Sequence, residues 1–278
     1  MIILAHDGSI YGDWVARYAL QFAASEADHK LLLLHVLDGN IKPDIVEARF
    51  ARFTQDCQDA GVECSPHFLP LGKTVHRSLH QAIPRDPEAL LVCGTRVKPN
   101  KRSFLSGSVA EKLLRSHQCP VLALRVVQPG LLGNPHDLLI PLAGHLSGFA
   151  RVWPVFRRLA LHLNTVHLFR ALAINPLLQT HLTPTRKQVL HNIGRAHLAQ
   201  ICAELKELMP LQPFRLDQRI AFTTDWPHEI LTLSSRLKVQ MILLGVSERS
   251  LAHRIFHGVG LEKVLRETPC DIGIYRGP

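Results

Sequence analysis

The chain has 278 residues, 46% hydrophobic and 20% charged, with a mean hydropathy of +0.07. That is globular composition; it excludes a disordered chain, and at ~100–200 residues per domain it predicts two domains of ordinary size. The formal net charge of +9 falls mostly after residue 130, with 17 basic and 10 acidic residues there against 15 and 13 before; such a surplus favours an anionic partner such as a phosphate.

The elements are predicted in chain order from apolar runs and their punctuation. Residues 2–5 read as a short buried strand, 10–24 as a helix, 30–37 as a strand and 43–60 as a helix opened by Pro43 and closed before Gly61. A weak strand over 62–69, a short helix over 74–83, a strand over 88–93, a helix over 108–117 and a strand over 120–127 follow. The same order then repeats: strand 138–142, helix 149–163, strand 165–170, helix 184–208, strand 214–223, helix 226–237, strand 239–244, helix 261–267 and strand 271–275. Strands alternating with helices imply a doubly wound α/β fold, a parallel sheet with helices on both faces.

The repetition is visible in the letters. Residues 107–125 laid on 258–276 match without gaps at Gly107/Gly258, Glu111/Glu262, Lys112/Lys263, Leu114/Leu265, Arg115/Arg266, Cys119/Cys270 and Arg125/Arg276. The N-terminal strands, IILAHDGS and LLIPLAGH, correspond at a different shift, so the second copy carries about 15 extra residues, in its second helix. Two five-stranded domains follow, 1–128 and 137–278, with the Gly- and Pro-rich stretch 129–136 as linker. Each copy ends in an apolar strand, and a bare edge of that kind must be paired or covered. We therefore expect the two copies to pack on each other through those strands, and a homodimer is a further option.

The longest apolar runs are far shorter than the ~20 residues a membrane helix needs, and MIILAHDGS lacks the basic start of a signal peptide, so no membrane partner is expected. Six scattered cysteines without zinc spacing read as reduced, buried thiols of a cytoplasmic protein. Gly72-Lys73-Thr74 lacks the earlier glycine of a phosphate-binding P-loop, since residue 67 is His67. The 17 histidines form no HExxH pair, so metal binding is not expected, and few aromatics make nucleic acid an improbable partner. No triad or general base stands out, so the chain reads as a binding protein, with at most slow nucleotide hydrolysis.

Ligands of open parallel sheets sit beyond the C-terminal strand ends, where strand order reverses. Asp7 ends the first strand, Gly94 the fourth, and Gly107-Ser108 opens the next helix. A backbone free to approach at Gly107, with a hydroxyl at Ser108, suits a phosphate, and Arg96, Lys98, Lys101 and Arg102 lie in the loop before it. The same letters, Ser108 to Glu111, also spell a capping box, and Asp7 reads equally as a helix cap. Both readings stand on residue chemistry alone.

IILAHDGS, LLLLHVLD and above all LLVCGTRVKPNKRSFLSGSVAEKLLRSHQCPVLALR resemble the universal stress protein family, and the internal match extends the resemblance to both copies. The family's nucleotide-binding members carry G-x-x-G, nine residues, then G-[S/T]; here Gly94, Val97 and Gly107-Ser108 keep the spacing, with Val97 in place of the second glycine. The resemblance implies ATP, ADP or AMP in the first copy, with any Mg²⁺ held mainly by the phosphates. It implies that Asp7 reads the adenine and ribose side, that Ala5 and Val36 wall the adenine pocket, that Cys93 precedes the first glycine, and that Val109 offers its N–H beside Ser108. In the second copy Ala143, Glu248 and Val259 replace Asp7, the second glycine and Ser108, so that site is expected to be lost. The function implied is a stress-response binding protein; the alternative is a nucleotide-independent scaffold in which both pockets have drifted.

Overall fold

The structure is a computed structural model. It describes all residues except 96–104, 106, 117, 143–148, 150–151, 175–182, 212, 246–258 and 278. The first half runs β1 (Ile2–Ala5), α1 (Ile10–Ala24), β2 (Lys30–Leu37), α2 (Pro43–Asp59), β3 (Glu63–Pro70), α3 (Val75–Ala82), β4 (Leu90–Gly94), α4 (Val109–Leu114) and β5 (Val121–Arg125). After a short 3₁₀ turn at Pro129–Leu131, the second half runs β6 (Asp137–Pro141), α5 (Trp153–Ala160), β7 (Thr165–Ala173), α6 (Pro184–Leu208), β8 (Arg215–Thr223), α7 (Trp226–Leu237), β9 (Met241–Gly245), α8 (Val259–Glu267) and β10 (Asp271–Arg276).

The ten strands among the described residues form one sheet, in the order β3-β2-β1-β4-β5-β10-β9-β6-β7-β8. Each half has the same doubly wound strand order, and within each half every pairing is parallel. The halves join where β5 and β10 run antiparallel over five registered positions, from Ile272↔Arg125 to Arg276↔Val121. Neither terminal strand is an edge. The true edges are β3 and β8. Pro66 and Pro70 interrupt the first, and Arg215, Asp217 and Arg219 charge the second, which discourages further pairing.

Alternation of side chains across the strands sorts the core into two layers. On β1, Ile2 and Leu4 face a cluster completed by Phe22 of α1, Phe50 of α2, Phe156 of α5 and Leu205 of α6. Ile3 faces the other way, toward Leu79 of α3, Leu113 of α4, Leu233 of α7 and Leu265 of α8. A central parallel strand is buried on both faces, which is why IILA is wholly apolar.

Several boundaries differ from the sequence reading. The helix expected over 108–117 ends at Leu114, because the Leu114 carbonyl accepts from the Arg276 guanidinium instead of serving another turn. The helix expected from residue 149 starts at Trp153, with Pro154 in the first turn, where its missing N–H costs nothing. β7 continues to Ala173 because β8 pairs with it over nine positions. Within the 129–136 stretch Gly133 is packed against α1: it has φ +84°, and a Cβ there would lie 2.8 Å from the Arg17 carbonyl carbon.

Candidate functional site

Strand order reverses between β1 and β4, and a cleft opens beyond their C-terminal ends. The turn from β1 into α1 uses Gly8 at φ +78°, which glycine adopts without strain. Ser9 then caps α1, its Oγ accepting from Gly12 N at 3.2 Å. Asp7 is exposed at the mouth, and its Oδ1 accepts from Ser9 N at 3.0 Å and from Ser9 Oγ at 2.6 Å. His6, buried beneath, accepts the Gly8 N–H on Nδ1 at 2.8 Å. Its proton therefore sits on Nε2, 3.2 Å from Asp13 Oδ1. Asp13 in turn accepts from the Arg49 guanidinium. Gly12 leaves room for this cluster: a Cβ there would stand 2.6 Å from His6 Cε1 and 2.8 Å from Asp7 Oδ1.

The opposite wall comes from α4. Ser108 caps it, with Oγ accepting from Glu111 N at 3.0 Å, and Glu111 Oε2 accepts from Gly107 N at 2.6 Å, closing a capping box. Gly107 makes the turn at φ +70°. The capping reading is thus realised at Ser108, whereas α1 is capped by Ser9 and Asp7 binds the backbone and hydroxyl of that cap. Capping does not use up the Ser108 hydroxyl, which still has its own proton to donate.

Ala5, Asp7, Val36, Cys93, Gly94, Ser108 and Val109 all line this one cleft, and Gly107 adjoins it through Ser108. Val97, Ala143 and Glu248 lie outside the described residues, as do the side chain of Val259 and the basic residues of 96–104. Cys93 is buried, and desolvation, with Cys119 nearby, pushes its thiol up to about 12. It is a wall, not a nucleophile. The floor, from Ala5, Val36, Cys93 and Leu124, is apolar, while Asp7, Asp38, Thr95 and Ser108 supply polar groups to the lining. An apolar floor beside hydroxyl and carboxylate groups suits an apolar ring carrying a polar tail.

The sequence reading passed over several lining residues. Tyr11 and Trp14, an edge-to-face pair with centroids 4.8 Å apart, stand at the mouth. Their position in the first turn after the β1 strand end was the available signal. Thr95, next to Gly94, is held by its N–H to Leu124 O at 2.7 Å. Asp38 and Asn40 sit in the LDGN turn after β2.

Among the described residues, no group of three or more His, Cys, Asp or Glu side chains could hold a metal ion, and no helix is long and apolar enough to cross a membrane. No protein-family model matches the chain, and no curated protein matches it. Solved structures do. A universal stress protein from Archaeoglobus fulgidus DSM 4304 is similar over 98% of this chain and 95% of its own, with a TM-score of 0.59 and 16% identity. A protein from Pseudomonas aeruginosa UCBPP-PA14 assigned to the universal stress proteins covers 99% and 92%, at 0.58 and 18%. The cytoplasmic domain of a prokaryotic cation chloride cotransporter covers 99% and 95%, at 0.57 and 10%.

Proposed function

From a chain with the universal stress protein fold along almost its whole length, we propose a stress-response binding protein of the cytoplasm that takes an adenine nucleotide in its first half. The observation that carries this reading is convergence: Ala5, Asp7, Val36, Cys93, Gly94, Ser108 and Val109, chosen from three separate stretches of sequence, line a single cleft at the point where strand order reverses.

The fit of the residues present is specific. Ala5, Val36 and Cys93 form an apolar floor for the base. The Asp7 carboxylate, exposed at the mouth, accepts from ribose hydroxyls. The Ser108 hydroxyl and the Val109 N–H donate to phosphate oxygens. Mg²⁺, when present, would come with the phosphates, since hard cations of that kind need few protein ligands. The protein acts by binding; the His6 ring is fully engaged by Gly8 and Asp13, and Cys93 holds its proton, so neither serves as base or nucleophile. The second half, without counterparts of Asp7 and Ser108, serves as a structural partner.

A nucleotide-independent interaction surface is the second reading. It is favoured by the exposed Ile10, Tyr11, Leu37, Ile45 and Leu71, which lie at or after the C-terminal ends of β1, β2 and β3. Native mass spectrometry of the purified full chain separates the two. A co-purifying mass of ATP, ADP or AMP at one per chain supports nucleotide binding. Bare protein that also fails to take up any of the three favours the surface.

A further inference from the structure

Glu111 and Glu262 are equivalent in the repeat, as are Arg125 and Arg276. Glu111 folds back on its own turn, to Gly107 N. Glu262 crosses the seam: its Oε1 accepts from Leu105 N at 3.1 Å, 157 residues away in sequence. Leu105 is buried, and its carbonyl accepts from Ser108 N at 3.0 Å. A relay therefore runs from a carboxylate of the second half, through one backbone unit, to the residue that forms the cleft wall. At the other end of α4, Arg276 of β10 is buried and donates from Nη1 to Leu114 O at 2.6 Å and to Ser116 O at 3.1 Å. A guanidinium on the last carbonyls of a helix satisfies groups that would otherwise lack partners, and it opposes the negative end of the helix. The intervening apolar side chains, Leu105, Leu113 and Leu114 on one side and Leu261, Val264 and Leu265 on the other, belong to one buried cluster, so these bonds cross the seam beside an apolar core. Charged groups bonded in such surroundings hold geometry firmly.

We propose that Glu262 and Arg276 are positioning residues for the first-half cleft: the second half, which lacks the site residues of the first, sets the place of the Ser108–Val109 wall by clamping α4 at both ends. The inference rests on the nucleotide reading for its functional consequence, and on the hydrogen bonds alone for its geometric content. A ligand or partner that moved α8 or β10 would reach the first-half cleft through these contacts.

The test uses the full chain and two readouts. E262A removes the acceptor; E262Q keeps an amide oxygen in its place. Amide hydrogen exchange is read at Leu105 and Ser108, and calorimetry with ADP reads the cleft. E262A should speed exchange at both amides by about tenfold and weaken ADP by a similar factor, the scale of one hydrogen bond to a charged acceptor. E262Q should restore both to within about twofold. R276M should loosen the Leu113–Ser116 segment, and R276K should recover part of it. Should E262A fail to fold, E262D, one methylene too short to reach Leu105, makes the same comparison. Unchanged exchange at Leu105 and Ser108 in E262A, or equal behaviour of E262A and E262Q, overturns the clamp. Faster exchange with unaltered ADP affinity overturns its role at the cleft. A wild-type chain that binds no nucleotide refutes the nucleotide reading instead, and exchange alone then judges the clamp.

Discussion

Asp271 opens β10 with no exposed surface, and its carboxylate ties the two halves together. Oδ2 accepts from the Tyr18 phenol at 2.5 Å, and Oδ1 from Val127 N at 2.7 Å and Gln128 N at 2.8 Å. Burial pushes the carboxyl above its usual range, while the three donors and Arg125 pull the other way without cancelling it. Tyr18→Phe removes one donor and leaves two, so it should cost about 1.5–3 kcal/mol, the range for a hydrogen bond to a charged group. Asp271→Ala strands a buried phenol and two part-buried N–H groups. At about 1–3 kcal/mol for each unsatisfied group, it should cost more than Tyr18→Phe and threaten folding. Asp271→Asn keeps the volume and an acceptor for both N–H groups. It also ends the group's titration. A carboxyl whose folded value is raised contributes its full stability below the unfolded value near ~3.9 and loses it as pH climbs through the folded value. The advantage of wild type over Asp271→Asn should therefore be larger at acid pH and shrink toward neutrality. Urea unfolding of wild type, Tyr18→Phe and Asp271→Asn across that range measures all of this. A neutral Tyr18→Phe, or an advantage over Asp271→Asn that grows with pH, would refute the reasoning.

Three further outcomes are expected. Gly12→Ala drives a Cβ against His6 and Asp7, so calorimetry should find nucleotide affinity reduced, with no stability gain from alanine's helix preference. Ser108→Ala should lose about 1 kcal/mol of stability with the cap and about 1–2 kcal/mol of nucleotide affinity with the hydroxyl; a lowered melting temperature with unchanged affinity would reduce Ser108 to a cap. All six cysteines are free, and five are buried. A brief pulse of alkylating agent followed by peptide mass spectrometry should therefore label Cys64 first; its thiol is half-buried and held below the ordinary range by the neighbouring Cys57.

The parts of this fold that were legible are those coded locally. IILA needs burial on both faces, and Gly8, Gly107 and the capping serines mark strand-to-helix turns whose geometry few other residues supply. The doubly wound architecture followed from that alternation. The cleft was legible where it sits at strand ends, through Asp7, Gly94 and Ser108. At Tyr11 and Trp14 the only signal was closeness to the end of β1, and they read as ordinary positions of an amphipathic helix until β1 and β4 place them at a mouth. The pairing of the last strands was legible from their bare apolar edges, but the side-chain bonds across the seam were hidden for a different reason. Asp271 meets Tyr18 across 253 residues and Arg276 meets Leu114 across 162, distances over which no periodicity or spacing carries information. CDIGIYR reads as an apolar strand with a charge at each end; only the paired sheet turns those charges inward. The α4 boundary was misplaced for the same cause, since its last carbonyl is claimed by a residue from the other half.

The central claim is one nucleotide site per chain, in the first half. Isothermal titration of the full chain with ATP, ADP and AMP in turn measures it directly. Binding of at least one of them at a stoichiometry near one, weakened by Ser108→Ala, is the predicted result. Two equivalent sites per chain, or no binding by any of the three, would contradict it.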